Sequence, residues 1–518
     1  LNFELYLAPT PLKAIFVKTR LLSGIKKLAG QTFWYGLSSI GARFLNYLLT
    51  PYLTYKLSGE AFGEMSLVYA IIPFLNVIFT YGLETTFFRY MQREEYKSDI
   101  YNTAMVSIIC STLFLTAGLM LLNQQVASLI SIKQHPEYIT WSALIIAFDT
   151  LSALPFAKLR QEGRPIKFAA IRIIGILIYI GFTFFFLSIC PKLKAANPNS
   201  IWLIIYNEDL KVGYIILANL VQAVVTFLLL SKEFFSFKWQ FNSKLWKEFM
   251  IYSLPLIIAG FGGMVNETFD RIMLGWLSTS KDPLFEVGTY SACYKLSLLI
   301  SLFIQAFRMG AEPFFFAHSE SGNPQKVYAR VMKFFVLTIC VMFLVVTLFL
   351  GVWKSFIQNP KMWVGLKVVP ILLLANMFLG IYYNLSIWYK ITNKTMAGAY
   401  ITIIGAIITL IINYFFIPKY GYMACAWATF FCYGTMMVLC YFWGQREYRV
   451  PYAAKKLIAY IVLVVVLYFL QKLLLHFWDS QWVNYFSGIL ILSIFVLFVL
   501  KVEKKEFQKL PVVGKYLL

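Results

Sequence analysis

Apolar runs of about 20 residues, each bounded by charged or turn-forming residues, recur from near residue 28 to residue 500. A helix of that length is enough to cross a hydrocarbon core. The pattern predicts fourteen spans, at 28–50, 62–88, 99–122, 137–158, 166–190, 212–231, 245–270, 285–312, 332–353, 363–388, 396–416, 421–443, 455–475 and 481–500. No stretch between them is long enough for a soluble domain of useful size, so the spans are the protein.

Two short patterns recur in order. Span two opens as Gly63, Ser66, Tyr69 and span eight as Gly288, Ser291, Tyr294; span six opens as Lys211-Val212-Gly213-Tyr214 and span twelve as Lys419-Tyr420-Gly421-Tyr422. Gly63 to Gly213 is longer than Gly288 to Gly421 by about the excess length of the segment Pro191 to Lys211, so one loop insertion reconciles the two halves. An even number of spans per half gives both the same orientation. The expected fold class is therefore an all-α polytopic membrane protein of two parallel six-helix lobes plus two C-terminal helices.

The corresponding domain organisation is a cytoplasmic amphipathic segment at 1–27, a first lobe at 28–231, a linker at 232–247, a second lobe at 248–443, and the last two spans with a basic tail at 444–518. In the first segment Leu21, Leu22, Ile25 and Leu28 recur at helical spacing beside Lys18, Arg20, Lys26 and Lys27; a surface helix and a plain basic flank both fit. No cleavage site follows it, so no cleavable signal is expected. Trp239 and Trp246 suit a surface helix in the linker.

Ionisable residues inside lipid-like sequence are costly unless paired or used, which makes them the functional candidates. Arg43 lies too deep in span one to reach either surface easily. Glu84 ends span two beside Arg89, Asp149 sits near mid-depth in span four, and Arg172 lies near one end of span five. Glu84 and Asp149 are expected partners of Arg43, since buried charges are tolerated in pairs. Span seven ends with Asn266, Glu267, Asp270 and Arg271, and span eight carries Lys295, Gln305, Arg308 and Glu312. Arg43, Lys295 and Arg308 are read as a ladder of cations along a cavity between the halves. Asp270 and Arg271 are read as a gate or a structural pair. Pro255 with Gly260, Gly262 and Gly263, and Gly310 with Pro313, are expected to break spans seven and eight. The last two spans have no ionisable residue at their centres and are expected to face lipid.

Composition agrees: the 518 residues are 60% hydrophobic and 14% charged, against about 25% charged in soluble domains. The net charge of +22 would ordinarily raise nucleic acid. With the N-terminus in the cytoplasm, however, about 30 of the 46 basic residues fall on inner segments, the positive-inside pattern. The basicity then reports a multi-pass protein with both termini cytoplasmic and contact with anionic membrane lipids, not nucleic acid. The seven cysteines lie singly in or at the ends of spans, and the three histidines are far apart, so no metal site or disulfide framework is expected.

Several stretches together resemble one family. They are Gln31 to Gly36, Pro51 to Gly63, the Leu159-Arg160-Gln161 turn, and Tyr252 to Pro255. The strongest are Asp270-Arg271-Ile272-Met273-Leu274-Gly275 followed by Val287-Gly288-Thr289-Tyr290-Ser291, and Ile417-Pro418-Lys419-Tyr420-Gly421-Tyr422-Met423-Ala424. From about Lys27 to Tyr441 the chain resembles the polysaccharide-type flippases of the multidrug, oligosaccharidyl-lipid and polysaccharide exporter superfamily.

The resemblance implies twelve helices in two lobes, often with two more, rocking between inward-open and outward-open states. It implies a flippase, not an enzyme, without cofactor, in the bacterial cytoplasmic membrane. The expected partners are a polyprenyl-pyrophosphate-linked oligosaccharide, such as an O-antigen or lipopolysaccharide precursor, and polysaccharide-assembly proteins. Relatives that flip the peptidoglycan precursor line the cavity with arginines. Arg43, Lys295 and Arg308 could serve likewise, with Arg89 and Arg172 as further substrate-binding candidates. Glu84, Asp149, Glu267, Asp270 and Arg271 are coupling or gating candidates.

Two other readings stand beside this one. An ion-coupled multidrug exporter on the same fold would be expected to present an acidic pocket to cationic drugs. A membrane polyprenyl glycosyltransferase or polymer ligase would need an active-site loop, and the longest outer segment, Pro191 to Lys211, offers only Glu208 and Asp209 as acids.

Overall fold

The structure is a computed structural model that describes residue 36 and residues 40–91, 99–196, 206–317, 323–478 and 480–508. The N-terminal segment read as a surface helix or a basic flank, the start of span one and the end of the basic tail lie outside the described residues.

Thirteen helices among the described residues are long and apolar enough to cross a membrane. Before them, residues 40–56 form a helix (α1) interrupted at Leu49, which is the second part of predicted span one. There follow α2 (Gly59–Tyr90), α3 (Asp99–Leu121), α4 (Glu137–Gln161), α5 (Pro165–Ala196), α6 (Lys211–Leu229), α7 (Ser243–Leu277), α8 (Pro283–Phe316), α9 (Pro324–Leu348), α10 (Pro360–Ile391), α11 (Met396–Tyr420), α12 (Tyr422–Glu447), α13 (Ala454–Phe477) and α14 (Gln481–Val502). Most starts fall within a few residues of the hydropathy pattern. Helix α9 begins earlier, at Pro324, because its first turns are amphipathic and polar residues there hid it from an apolar-run criterion.

In the first lobe α6 packs on α4 and α5, and α3 on α4; in the second, α12 packs on α10 and α11, and α8 on α10. The lobes meet where α2 crosses α8 and α7. At that crossing Gly63 and Gly288, the matched glycines of the repeat, bring two backbones together. A Cβ on Gly63 would stand 1.9 Å from the Leu284 carbonyl oxygen, and one on Gly288 2.0 Å from the Gly59 carbonyl oxygen. Only hydrogen side chains permit this approach. The contact closes the lobes at the end holding the α1–α2 and α7–α8 corners, termed here the corner end. The opposite end, holding the 230–242 segment, is the linker end.

The expected breaks in spans seven and eight are corrected. Helix α7 runs unbroken from Ser243 to Leu277 with Pro255 inside it, and α8 runs unbroken through Gly310. Pro255 removes one donor from the ladder without ending the helix. The interruption lies instead in α2, where Tyr81 (φ 33) and Gly82 (φ 71) are left-handed and re-aim the segment Leu83–Tyr90. Helix α7 serves both lobes. Its first turns pack Leu245 and Phe249 with Tyr81, Leu83 and Ile100 of the first lobe, and Ser253 shares a 2.6 Å hydrogen bond with Thr86. Further along, Asn266 Nδ2 donates to the Thr402 carbonyl at 3.1 Å, and Tyr433 donates to the Asn266 carbonyl at 3.2 Å, both in the second lobe.

The linker is not the expected surface helix. Only Ser231–Phe234 is helical, and the chain is irregular up to Asn242. Side chains replace the helix: Asn102 accepts from the Lys238 amide at 2.8 Å and Thr103 from the Asn242 amide at 3.2 Å. Glu233, 3% exposed, anchors the stretch to the first lobe through Lys167 at 2.7 Å and Arg164 at 2.9 Å. Burial pushes the Glu233 carboxyl up, but these two cations outweigh it and hold the group below the usual carboxylate range. Trp239 is exposed, and Trp246 belongs to α7, donating to Ser107 at 2.9 Å.

Helices α13 and α14 attach to α9. Glu503, 3% exposed just past α14, binds Lys456 at 2.6 Å, Tyr460 at 2.8 Å and Lys333 at 3.3 Å, tying the three helices together. Their other faces carry exposed Ile458, Val462, Val466, Ile489 and Ile494, suited to lipid.

Candidate functional site

Two cavities lie on the linker side of the Gly63–Gly288 contact, along the seam between the lobes. The larger, the central cavity, is about 640 Å³ and is lined by Arg43 of α1, Glu267 of α7, Gln305, Arg308 and Glu312 of α8, and Tyr383 of α10, among others. The smaller, the corner chamber, is about 340 Å³ and is lined by Asn46, Tyr69, Asn219, Arg271, Ser291 and Lys295, among others. Glu267, Tyr294 and Leu298 line both, so they form the partition.

The central cavity draws its charge from both lobes. Arg43 Nη1 donates to Gln305 Oε1 at 2.7 Å, a neutral acceptor, and among the described residues no carboxylate pairs with this guanidinium. Arg308 Nε donates to Glu312 Oε1 at 2.9 Å, and its guanidinium lies 4.6 Å from the centre of the Tyr383 ring. Glu312 also accepts from Lys390 Nζ at 2.5 Å, so this acid is held by two cations. Among the described residues Glu267 has no such ion pair. The i, i+3 step from Gln305 to Arg308 puts both on one face of α8, so Gln305, noted in sequence only as one of the polar residues of span eight, shares the cavity with Arg308. Tyr383 comes from a different helix and gave no sequence signal.

In the corner chamber Arg271 reaches back to Asp270 at 3.2 Å and stacks on Tyr294 at 4.5 Å. Asp270, 3% exposed, also accepts from Tyr290 at 2.6 Å. The expectation of a gate or structural pair thus divides: Asp270 is buried as an anchor, whereas Arg271 lines the chamber with Lys295.

Two expected ion pairs are corrected. Glu84 does not face Arg43; it pairs with Arg160, because the break at Tyr81–Gly82 turns the end of α2 toward the end of α4. Asp149 interacts electrostatically with Arg172, not as the expected partner of Arg43. Arg172 lies 4.3 Å from the Phe156 ring centre and is close enough to feel the Arg43 charge. Arg89 is not among the lining residues named for either cavity; it stacks on Tyr252 at 4.2 Å, where it joins α2 to α7.

A two-lobed bundle of spanning helices with a charged cavity along its seam is the build of a membrane transporter. The chain belongs to the polysaccharide biosynthesis protein family, whose model matches residues 28–318. The MatE family model matches residues 255–415.

Among solved structures, the fold is shared with the lipid II flippase MurJ in an inward closed conformation, at TM-score 0.71 and 15% identity, covering 90% of this chain and 98% of that one. A multidrug resistance MATE family transporter of the MOP superfamily, inward-facing, aligns at TM-score 0.60 and 12% identity over 78% of this chain and 94% of that one. An outward-facing MATE structure aligns at TM-score 0.53 and 12% identity over 81% and 95%. At such identities the likeness is one of fold alone. No curated protein sequence matches the chain.

Proposed function

We propose that the protein flips a polyprenyl-pyrophosphate-linked oligosaccharide, such as a precursor of O-antigen or lipopolysaccharide, from the inner to the outer leaflet of the bacterial cytoplasmic membrane. The observation that carries this reading is the cation of Arg43, presented from the first lobe and, among the described residues, bound only by the neutral Gln305, across from Arg308 of the second. Guanidinium groups with free donors suit phosphate oxygens. The likeness to a lipid II flippase supports the same class of cargo.

The barrier to flipping is the passage of phosphate and sugar through hydrocarbon. A wet, charged seam removes it while the polyprenyl tail stays in lipid. The positive-inside rule puts both termini and the linker end in the cytoplasm, so the central cavity receives the headgroup there while the Gly63–Gly288 contact seals the outer side. Rocking of the lobes about the seam then exposes it outward. Outward movement of the anionic headgroup is favoured by an inside-negative potential, by about 2.3 kcal/mol per charge per 100 mV. Of the acids considered for coupling, Glu84 and Asp270 are held in ion pairs, which leaves Glu267 and Asp149 as the better candidates. The basic cytoplasmic segments engage anionic lipids, and polysaccharide-assembly proteins use the delivered glycan.

Deleting the gene tests the reading: a lipid-linked glycan should accumulate on the inner leaflet, and the purified protein in liposomes should move it across. Transport of an organic cation, with no effect on the glycan, would replace this reading with a multidrug exporter. Covalent change in the glycan would replace it with a transferase or ligase.

A further inference from the structure

The corner chamber differs in chemistry from the central cavity. Its second-lobe wall presents the Lys295 ammonium and the Arg271 guanidinium. Among the described residues Lys295 has no carboxylate in ion-pair range, whereas the Arg308 guanidinium of the central cavity is compensated by Glu312. One turn before Lys295 on α8, Ser291 lines the same chamber at 3% exposure, and its hydroxyl is buried without a hydrogen-bond partner. A buried hydroxyl left unsatisfied is costly, and a ligand oxygen would relieve that cost. The first-lobe wall is uncharged, with polar side chains such as Asn46, Asn219 and Gln222 among apolar ones, and Asn219 Nδ2 lies 3.4 Å from the Tyr69 hydroxyl.

We propose that the corner chamber is a second anion station, in which Lys295, Arg271 and Ser291 take the phosphate groups after they leave Arg43. The inference rests on the flippase reading and adds an order of events to it. The headgroup binds first between Arg43 and Arg308, then passes the Tyr294–Glu267 partition toward the corner end. The carboxylate of Glu267, shared by both cavities, repels phosphate and makes the partition a crossing point instead of a resting place. A charge without a fixed partner at each station keeps either from holding the cargo as a permanent ion pair would.

The test uses the full chain in lipid nanodiscs, where both faces are accessible, with the exposed Cys110 replaced by Ser. Single reporters Ala259→Cys in the central cavity and Asn46→Cys in the corner chamber are alkylated with and without inorganic pyrophosphate. Pyrophosphate is expected to protect both. Lys295→Gln should raise the concentration needed at the Asn46→Cys reporter about tenfold, the scale of one charge-assisted hydrogen bond, without moving protection at Ala259→Cys. Lys295→Arg should retain it, and Ser291→Ala, a smaller change should Lys295→Gln not fold, should weaken it in the same direction. Protection at Ala259→Cys with none at Asn46→Cys overturns the second station while leaving the flippase reading standing. So does equal protection with Lys295→Gln. Absence of protection at both reporters overturns the pyrophosphate reading and the station together.

Discussion

Arg43 and Gln305 stand 262 positions apart in sequence, yet the guanidinium of one donates to the amide oxygen of the other at 2.7 Å. The bond crosses from α1 of the first lobe to α8 of the second and points a cation into the seam without neutralising it. Rocking of the lobes must lengthen or break it.

Arg43→Ala is expected to lower headgroup flipping in proteoliposomes about tenfold or more at unchanged expression, because a charged donor to phosphate is lost. Lys295→Ala should do likewise, whereas Gln305→Ala should cost less. Full activity in both cation variants would sink the cavity as drawn.

The Gly63–Gly288 crossing leaves no room for a methyl group. Gly63→Ala and Gly288→Ala should each destabilise the fold by about 1–3 kcal/mol, the usual range for overpacking, and more if the backbones cannot part. Gly41→Ala is the control, since a Cβ there meets nothing within 4 Å. Thermal unfolding in detergent reads the difference; equal melting temperatures in all three would contradict the close approach.

Asp270 compensates Arg271 in a site where their side chains are 5% and 12% exposed. Removing one partner of a buried pair typically costs about 3–5 kcal/mol. Asp270→Asn should therefore lower the melting temperature clearly, and adding Arg271→Gln should recover part of the loss. A strictly additive double variant would mean that the two groups do not interact.

Stability should depend on acid through the linker. Glu233 has a lowered folded-state pKa, so its contribution is fully present above the unfolded carboxylate value of about 4.3 and is lost as pH falls through the folded value. Melting temperature should drop between about pH 5 and pH 3. Glu233→Gln should be less stable at neutral pH and show a shallower acid dependence; an unchanged slope would assign the acid sensitivity to other groups.

Much of the architecture was legible in sequence because the bilayer imposes it. A helix in hydrocarbon satisfies its own backbone, so apolar length and polar interruption locate the spans almost without tertiary information. The repeat of Gly63-Ser66-Tyr69 as Gly288-Ser291-Tyr294 gave the two halves, and the isolated charges Arg43, Lys295 and Arg308 gave three residues of the seam.

Which charges face each other was decided only by tertiary structure. The break at Tyr81–Gly82 turns Glu84 to Arg160 and away from Arg43, and α7 stays helical through Pro255 while packing against both lobes. Arg271 lies next to Asp270 in sequence, yet its place in the chamber with Lys295 follows from how α7 packs beside α8. Composition and spacing fix where a helix lies in the membrane, because depth is a property of one segment. The face it turns to its neighbours, and hence which cations stay free for a ligand, is a property of the whole bundle.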